Sequence, residues 1–300
     1  MKVFRIPLIV MTMILLSCSS DDDSSGGVQT RDPEIVKDEN LLEIEGFLET
    51  HFYEFQDNPE NPNFQKIVFD TIDGENSGRT PIMNSELLES KTVVQQDIEY
   101  KLYYLKLREG AEPARQPKFA DSTFVTYNGR TLDKRSFDNA PNPIWFDLPN
   151  TVRGFYEVME EFRGSTGFVE NPDGTVDFND DFGIGAVFIP SGIAYFATPP
   201  QGSGIRSYDP LIFSFQLYRS KESDHDQDGV PTWMEDENGN RRVTDDDTDN
   251  DRNQNYIDTD DDGDGVPTSE EIEFDEDGNL VLPDSNGNGT PDYLDETYPE

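Results

Sequence analysis

Cysteine and histidine are nearly absent, with one Cys and two His in 300 residues. A lone thiol cannot close an internal disulfide. One Cys with two His also cannot supply a Cys/His zinc site or a Cys-His nucleophilic pair. Basic residues are scarce too: 23 Lys+Arg stand against 63 Asp+Glu, a formal net charge of -40. Such a chain is repelled by phosphate backbones, so nucleic acid is excluded as a partner. Apolar residues make up only 33% of the chain, low for one packed from end to end, yet 11% are aromatic. The apolar mass must be concentrated, which implies a core domain flanked by non-globular acidic parts.

The charge breaks sharply near Lys221. Residues 221–300 hold 28 Asp+Glu and 4 Lys+Arg, so a boundary is expected there. At the other end, Lys2 and Arg5 precede the apolar run Ile6 to Leu16. That run is shorter than the roughly 20 residues a bilayer span needs, and residues 1–17 read as a signal peptide. The only cysteine, Cys18, follows Leu15, Leu16 and Ser17, which resembles a bacterial lipobox. The resemblance implies that Cys18 carries lipid and becomes the mature N-terminus. Residues 18–32, rich in Ser, Asp and Gly, read as a flexible acidic tether. They are similar to the acidic export signal of Bacteroidota lipoproteins, which implies an outer-membrane location, the cell surface being favoured over the periplasmic face.

Residues 33–96 read as an N-terminal extension without evident chemistry. Leu41, Leu42, Ile44, Phe47, Leu48 and Phe52 have a roughly helical spacing with Asp38 as a cap. Asp57 to Asn63 reads as a loop and Val68 to Ile72 as a short strand. His51 reads as a surface residue near the helix end. From residue 97 strand signals follow one another: Asp97–Leu107, Ser122–Tyr127, Arg135–Phe137, then a proline-rich loop through Pro143. A short helix is expected over Thr151–Phe162, then a hairpin on the Asn171–Gly174 turn, and closing strands at Ala186–Ile189 and Leu211–Tyr218. One helix among several antiparallel strands defines an α+β domain over residues 97–220 with the helix packed into a curved sheet.

Phe124, Val125, Tyr127, Gly129, Phe137 and Asp138 resemble the opening motif of FKBP-type peptidyl-prolyl isomerases. Pro143 to Phe146 with Val152 to Phe155, Ile189 to Tyr195, and Leu211 to Leu217 are similar to three later blocks of that family, in order. The resemblance implies Xaa-Pro isomerisation on proline-containing clients, with no catalytic cofactor. Carried over by position, Tyr127, Phe137, Asp138, Phe146, Val152, Phe155, Tyr195 and Phe213 would line the pocket. The family's Ile-Pro-Pro before the closing strand is replaced by Ile205, Arg206 and Ser207, and Gly164–Ile184 is longer than usual. A non-catalytic surface binding or adhesion protein on a degenerate version of the fold is the alternative.

The acidic tail has its own period. Asp224, Asp226, Asp228 and Glu235 recur as Asp260, Asp262, Asp264 and Glu271, each around an Asp-Gly-Val-Pro-Thr run. Ligands at positions 1, 3, 5 and 12 of a loop suit a hard cation such as structural Ca²⁺. Asp247, Asp249, Asp251 and Asp258 repeat the frame, and Asp284, Asn286, Asn288 and Asp295 give a fourth, less charged copy. No helix fits between frames this close, so residues 221–300 resemble thrombospondin type 3 repeats rather than EF-hands. His225 falls at a non-ligand position and is expected to be incidentally exposed.

Overall fold

The computed structural model describes residues 30–56 and 66–298. The expected leader, Cys18, most of the tether and the expected loop Asp57–Asn63 lie outside the described residues. Helix α1 (Pro33–Thr50) starts earlier than the expected Asp38 cap, because Asp32 accepts a hydrogen bond from the Glu34 amide and Pro33 stands in the first turn. Its buried residues Val36, Asn40, Ile44, Phe47 and Leu48 form one stripe, and Leu42 is 71% exposed. A hairpin follows, β1 (His51–Gln56) with β2 (Lys66–Thr71). His51 is half-buried, its ring stacked on Phe47 at 3.8 Å.

The main sheet has six antiparallel strands: β3 (Leu88–Gln95), β4 (Ile98–Arg108), β5 (Ser122–Thr131), β6 (Ser136–Asp147), β9 (Gly183–Ile189) and β10 (Leu211–Lys221), in the order β3-β4-β9-β10-β5-β6. Helix α2 (Arg153–Met159) lies between β6 and β9 in sequence, followed by the small hairpin β7 (Phe168–Glu170) and β8 (Val176–Phe178). The fold is therefore α+β, an antiparallel sheet wrapped on a short helix. Residue 97 falls inside the β3–β4 hairpin, so no boundary stands there, while β10 ends the main sheet at Lys221. Residues from Arg31 onward form one compact unit, because the chain on either side packs onto the sheet.

The expected proline-rich loop is instead part of β6. Pro141 and Pro143 are accommodated where the β5–β6 register slips between Val125 and Tyr127. An edge strand with a bulge needs no amide hydrogen from those positions.

The central strands β9 and β10 are buried on both faces, which explains the uninterrupted apolar run of β9. Val187 and Ile189 face α2 with Phe155, Val158, Met159, Phe213 and Phe215. Ile184, Ala186 and Phe188 face the opposite layer, built from Ile44, Phe47 and Leu48 of α1 with Ile67 and Phe69 of β2. The N-terminal extension is thus the second layer of the domain. Gly154 lets α2 cross against Ile189 so closely that a Cβ there would collide with the Ile189 side chain.

The acidic tail has little regular structure: one four-residue helix, α3 (Thr268–Glu271), and a two-residue hairpin, β11 (Glu273–Phe274) with β12 (Leu280–Val281). Val243 joins the core on the α2 side, with Trp233 and Tyr256 packed against it. Among the described residues no helix is long and apolar enough to cross a membrane.

Candidate functional site

The structure gathers Tyr127, Phe137, Asp138, Phe146, Val152, Phe155, Tyr195 and Phe213 around one cavity of about 370 Å³. Six separate segments contribute, since Pro200, Ser203 and Ile205 complete the wall. Phe155 is 1% exposed and forms the floor, packing edge-on to Phe213 (5.3 Å between centroids) and Phe146 (5.7 Å). Phe137 meets Phe213 edge-on at 5.4 Å, and Tyr127 lies 4.7 Å from Phe146. Edge-to-face packing holds each ring in place without filling the cup.

Gly129 makes that geometry possible. It pairs with Phe213 on one side and Asp138 on the other. A Cβ on it would lie 2.7 Å from the Phe137 ring and 3.0 Å from the Phe213 ring, so a side chain would displace one of them.

Polar chemistry at the rim is sparse. The Tyr127 hydroxyl donates to Asp138 Oδ2 at 2.6 Å, and burial first, then Asp138, raises the Tyr127 pKa. Burial and Asp138 raise that of Tyr195 in the same way. Both phenols therefore stay protonated and able to donate a hydrogen bond at neutral pH. The Ile205, Arg206, Ser207 sequence keeps its apolar wall through Ile205, while Arg206 pairs with Asp209 (3.2 Å) and Asp133 (3.3 Å). Ile144 is exposed and does not line the cavity.

One positioning residue has no signature in sequence. Asn40, buried in α1, accepts from the Ser191 amide (2.8 Å) and hydroxyl (2.6 Å) and donates to the Tyr208 carbonyl (3.0 Å). It pins the segment that carries Tyr195 and the end of the loop that carries Ile205. Its helical spacing marks the position as buried, but nothing in sequence names its partners.

In the tail, the oxygens of Asp226, Asp228, Glu235 and Asp261 lie within 4.8 Å of one another. Asp261 is one residue off the repeated frame and is not among the expected ligands; Asp224 stands outside this cluster and accepts from the Gln227 (2.8 Å) and Gly229 (3.2 Å) amides. Glu235 and Asp261 are 1% and 2% exposed, and all four of their oxygens lack a hydrogen-bond partner among the described residues. Burial and the neighbouring carboxylates push Glu235 up to about 10 and Asp261 up to about 9. A buried, unpaired carboxylate is costly, so this donor set fits a hard divalent cation.

Asp247, Asp249 and Asp251 form a second cluster, without Asp258, and Asp260, Asp262 and Asp264 a third. Glu271 is buried with both oxygens lacking a hydrogen-bond partner among the described residues, and burial with Asp262 and Asp264 pushes it up to about 8. The fourth frame differs. Asn286 and Asn288 both donate to Asp295 Oδ2 (2.7 and 2.8 Å), and Asp284 accepts from the Gly287, Asn288 and Gly289 amides.

The tail is fastened to the domain. His225 donates or accepts at Thr232 Oγ1 (2.7 Å) and reaches Asp147 Oδ1 (3.0 Å), so it is half-buried rather than incidentally exposed. The Tyr156 hydroxyl donates to the Arg241 carbonyl (3.0 Å), and Arg241 pairs with Glu157 (3.1 Å) and with Glu160.

Residues 225–282 match the family model described as BamM C-terminal. No curated protein matches the sequence. Among solved structures, a peptidyl-prolyl cis-trans isomerase from Pseudomonas syringae pv. tomato str. DC3000 is similar at 15% identity and a TM-score of 0.39, over 65% of this chain and 100% of that one. FkpA from Escherichia coli is similar at 22% identity and 0.34, over 46% of this chain and 53% of its own length. The N-terminal domain of FKBP42 from Arabidopsis thaliana is similar at 14% identity and 0.32, over 45% of this chain and 94% of that one.

Proposed function

We propose that the chain is a peptidyl-prolyl cis-trans isomerase for Xaa-Pro bonds of exported or surface proteins, anchored to the outer membrane by lipid on Cys18. The observation that carries this reading is the single aromatic cup, to which six segments contribute. Rotation about a peptide bond meets a barrier of about 18–20 kcal/mol from amide resonance, and Xaa-Pro bonds are the ones substantially populated in both isomers. A cup walled by Phe137, Phe146, Phe155 and Phe213 takes a proline ring and excludes water. The twisted amide is less dipolar than the planar one, so it loses less on leaving water and is favoured there. Tyr195 donates a hydrogen bond to the substrate backbone, and Asp138 fixes the Tyr127 hydroxyl at the rim.

The tail carries structural Ca²⁺. Asp226, Asp228, Glu235 and Asp261 would hold one ion, and the clusters starting at Asp247 and Asp260 would hold others, with Glu271 closing the latter. The ions neutralise carboxylates that otherwise repel one another. The match of residues 225–282 to the BamM C-terminal family is consistent with an outer-membrane association.

A protease-free exchange assay on an Ala-Pro peptide, with the purified full chain in millimolar Ca²⁺, tests the enzyme reading. Phe137→Ala or Asp138→Ala should slow exchange roughly tenfold or more, about 1.4 kcal/mol of barrier, while unfolding stays cooperative. A wild-type rate equal to the uncatalysed one would leave the cup as a binding site only.

A further inference from the structure

Beside the aromatic cup is a second cavity, of about 440 Å³, and the two share Asn150, Thr151, Val152 and Tyr195 as a common wall. In a chain of formal charge -40, its only charged lining residues are Arg153, Arg241 and Arg242. Arg153 comes from α2, at the start of the helix whose Phe155 floors the cup. Arg241 and Arg242 come from the tail, so without the tail this cavity has no far side.

The arginines differ in how firmly they are held. Arg153 pairs with Glu157 (3.3 Å) and donates to the Asn240 carbonyl (2.8 Å), its buried Nε without a hydrogen-bond partner among the described residues. Arg241 is held by Glu157 and Glu160, its guanidinium 4.7 Å over the Phe119 ring. The carboxylates that hold these two lie behind the cavity rather than in its lining. Arg242 is the freest: its side chain is 40% exposed and its single ion pair among the described residues is with Asp245 at 3.4 Å. The Arg241 amide donates to Asp236 Oδ2 (2.8 Å) and Asn238 is tied to Asp246. The loop that presents the two arginines is thus fixed on its own backbone.

We propose that this cavity is a subsite for acidic residues flanking the proline, so that the tail sets which Xaa-Pro peptides the cup accepts. The proposal rests on the reading of the cup as a proline site and names its substrate class. An extended peptide with its proline ring in the cup runs over the shared Asn150–Val152 wall and places a neighbouring Asp or Glu against Arg242 and Arg153. The protein's net charge of -40 otherwise repels such a peptide. A guanidinium offers a carboxylate paired donors that a lysine cannot.

The test uses the full chain in millimolar Ca²⁺ and peptides with one Ala-Pro bond flanked on either side by three glutamates, three alanines or three lysines. Calorimetry gives Kd and exchange spectroscopy gives kcat/KM. The wild type should bind one glutamate-flanked peptide about three- to tenfold more tightly than the alanine peptide, and the lysine peptide no better than alanine. Arg242→Glu should abolish or reverse that preference while leaving the rate on the alanine peptide unchanged, and Arg242→Lys should keep only part of it. If the alanine peptide is isomerised but charge makes no difference, the subsite is overturned and the isomerase reading stands. If no peptide is bound or turned over, both fall.

Discussion

His225 Nε2 lies 3.0 Å from Asp147 Oδ1, and this contact joins the first residues of the tail to the last residue of β6. Asp147 follows Phe146 of the aromatic cup and itself lines it, so the fastening point of the tail is also a wall of the site. The carboxylate raises the His225 pKa above its ordinary value, against the opposing effect of burial.

A double-mutant cycle on this pair should show a coupling of roughly 1 kcal/mol, the scale of one partly buried polar contact. The variants are His225→Ala, Asp147→Ala and both together, measured by urea unfolding in Ca²⁺. Strict additivity would mean that the two side chains are neighbours without an energetic link.

Asn40→Leu removes three hydrogen bonds at a buried position and leaves the Ser191 groups and the Tyr208 carbonyl without that partner. Loss of roughly 2–3 kcal/mol in stability is expected. Because Asn40 holds the segments bearing Tyr195 and Ile205, kcat/KM should also fall at temperatures where the variant remains folded. Full activity in a destabilised protein would separate the two roles.

Gly129→Ala places a methyl group against the Phe137 and Phe213 rings. A cost of about 1–3 kcal/mol is expected from the overpacking. A ring displaced into the cup would narrow it, so turnover should drop. Unaltered kinetics would show that the rings yield outward.

Removal of Ca²⁺ with EDTA should make residues 221–298 protease-sensitive while the sheet stays protected. The first cluster, with four carboxylates, should bind most tightly, and the fourth frame, whose Asp295 is occupied by two amides, least. Asp261→Asn should weaken the tightest site roughly tenfold, and Asp224→Asn should weaken it less. Equal effects of the two changes would return the ligand role to the repeated frame.

Much of this architecture was legible from residue order alone. Strands β4, β5 and β10, helix α2 and the hairpin at Asn171 follow local propensity and turn chemistry. The eight residues that line the cup lie in short motifs that resemble, in order along the chain, those of one family. Other features left no local trace. Strand β3 carries Glu89, Ser90, Lys91 and Thr92 in succession and buries Val93 alone, so it does not read as part of a sheet. The role of residues 33–71 as a second layer depends on β9 being apolar on both faces, which a sequence run cannot apportion between two partners.

The sequence by itself determined the tail's repeat, since carboxylate spacings of two residues are a property of the chain over a single turn. It also determined the concentration of aromatic mass in one domain and the lack of residues for a disulfide, a Cys/His zinc site or a Cys-His pair, which follow from composition. Tertiary structure alone decided that Asp261 joins Asp226, Asp228 and Glu235, that His225 meets Asp147 across 78 positions, and that Arg241 and Arg242 wall a cavity beside the cup. Each of these contacts joins segments distant in the chain, and such a pairing is set by how the layers pack on the sheet, not by any residue's local preference.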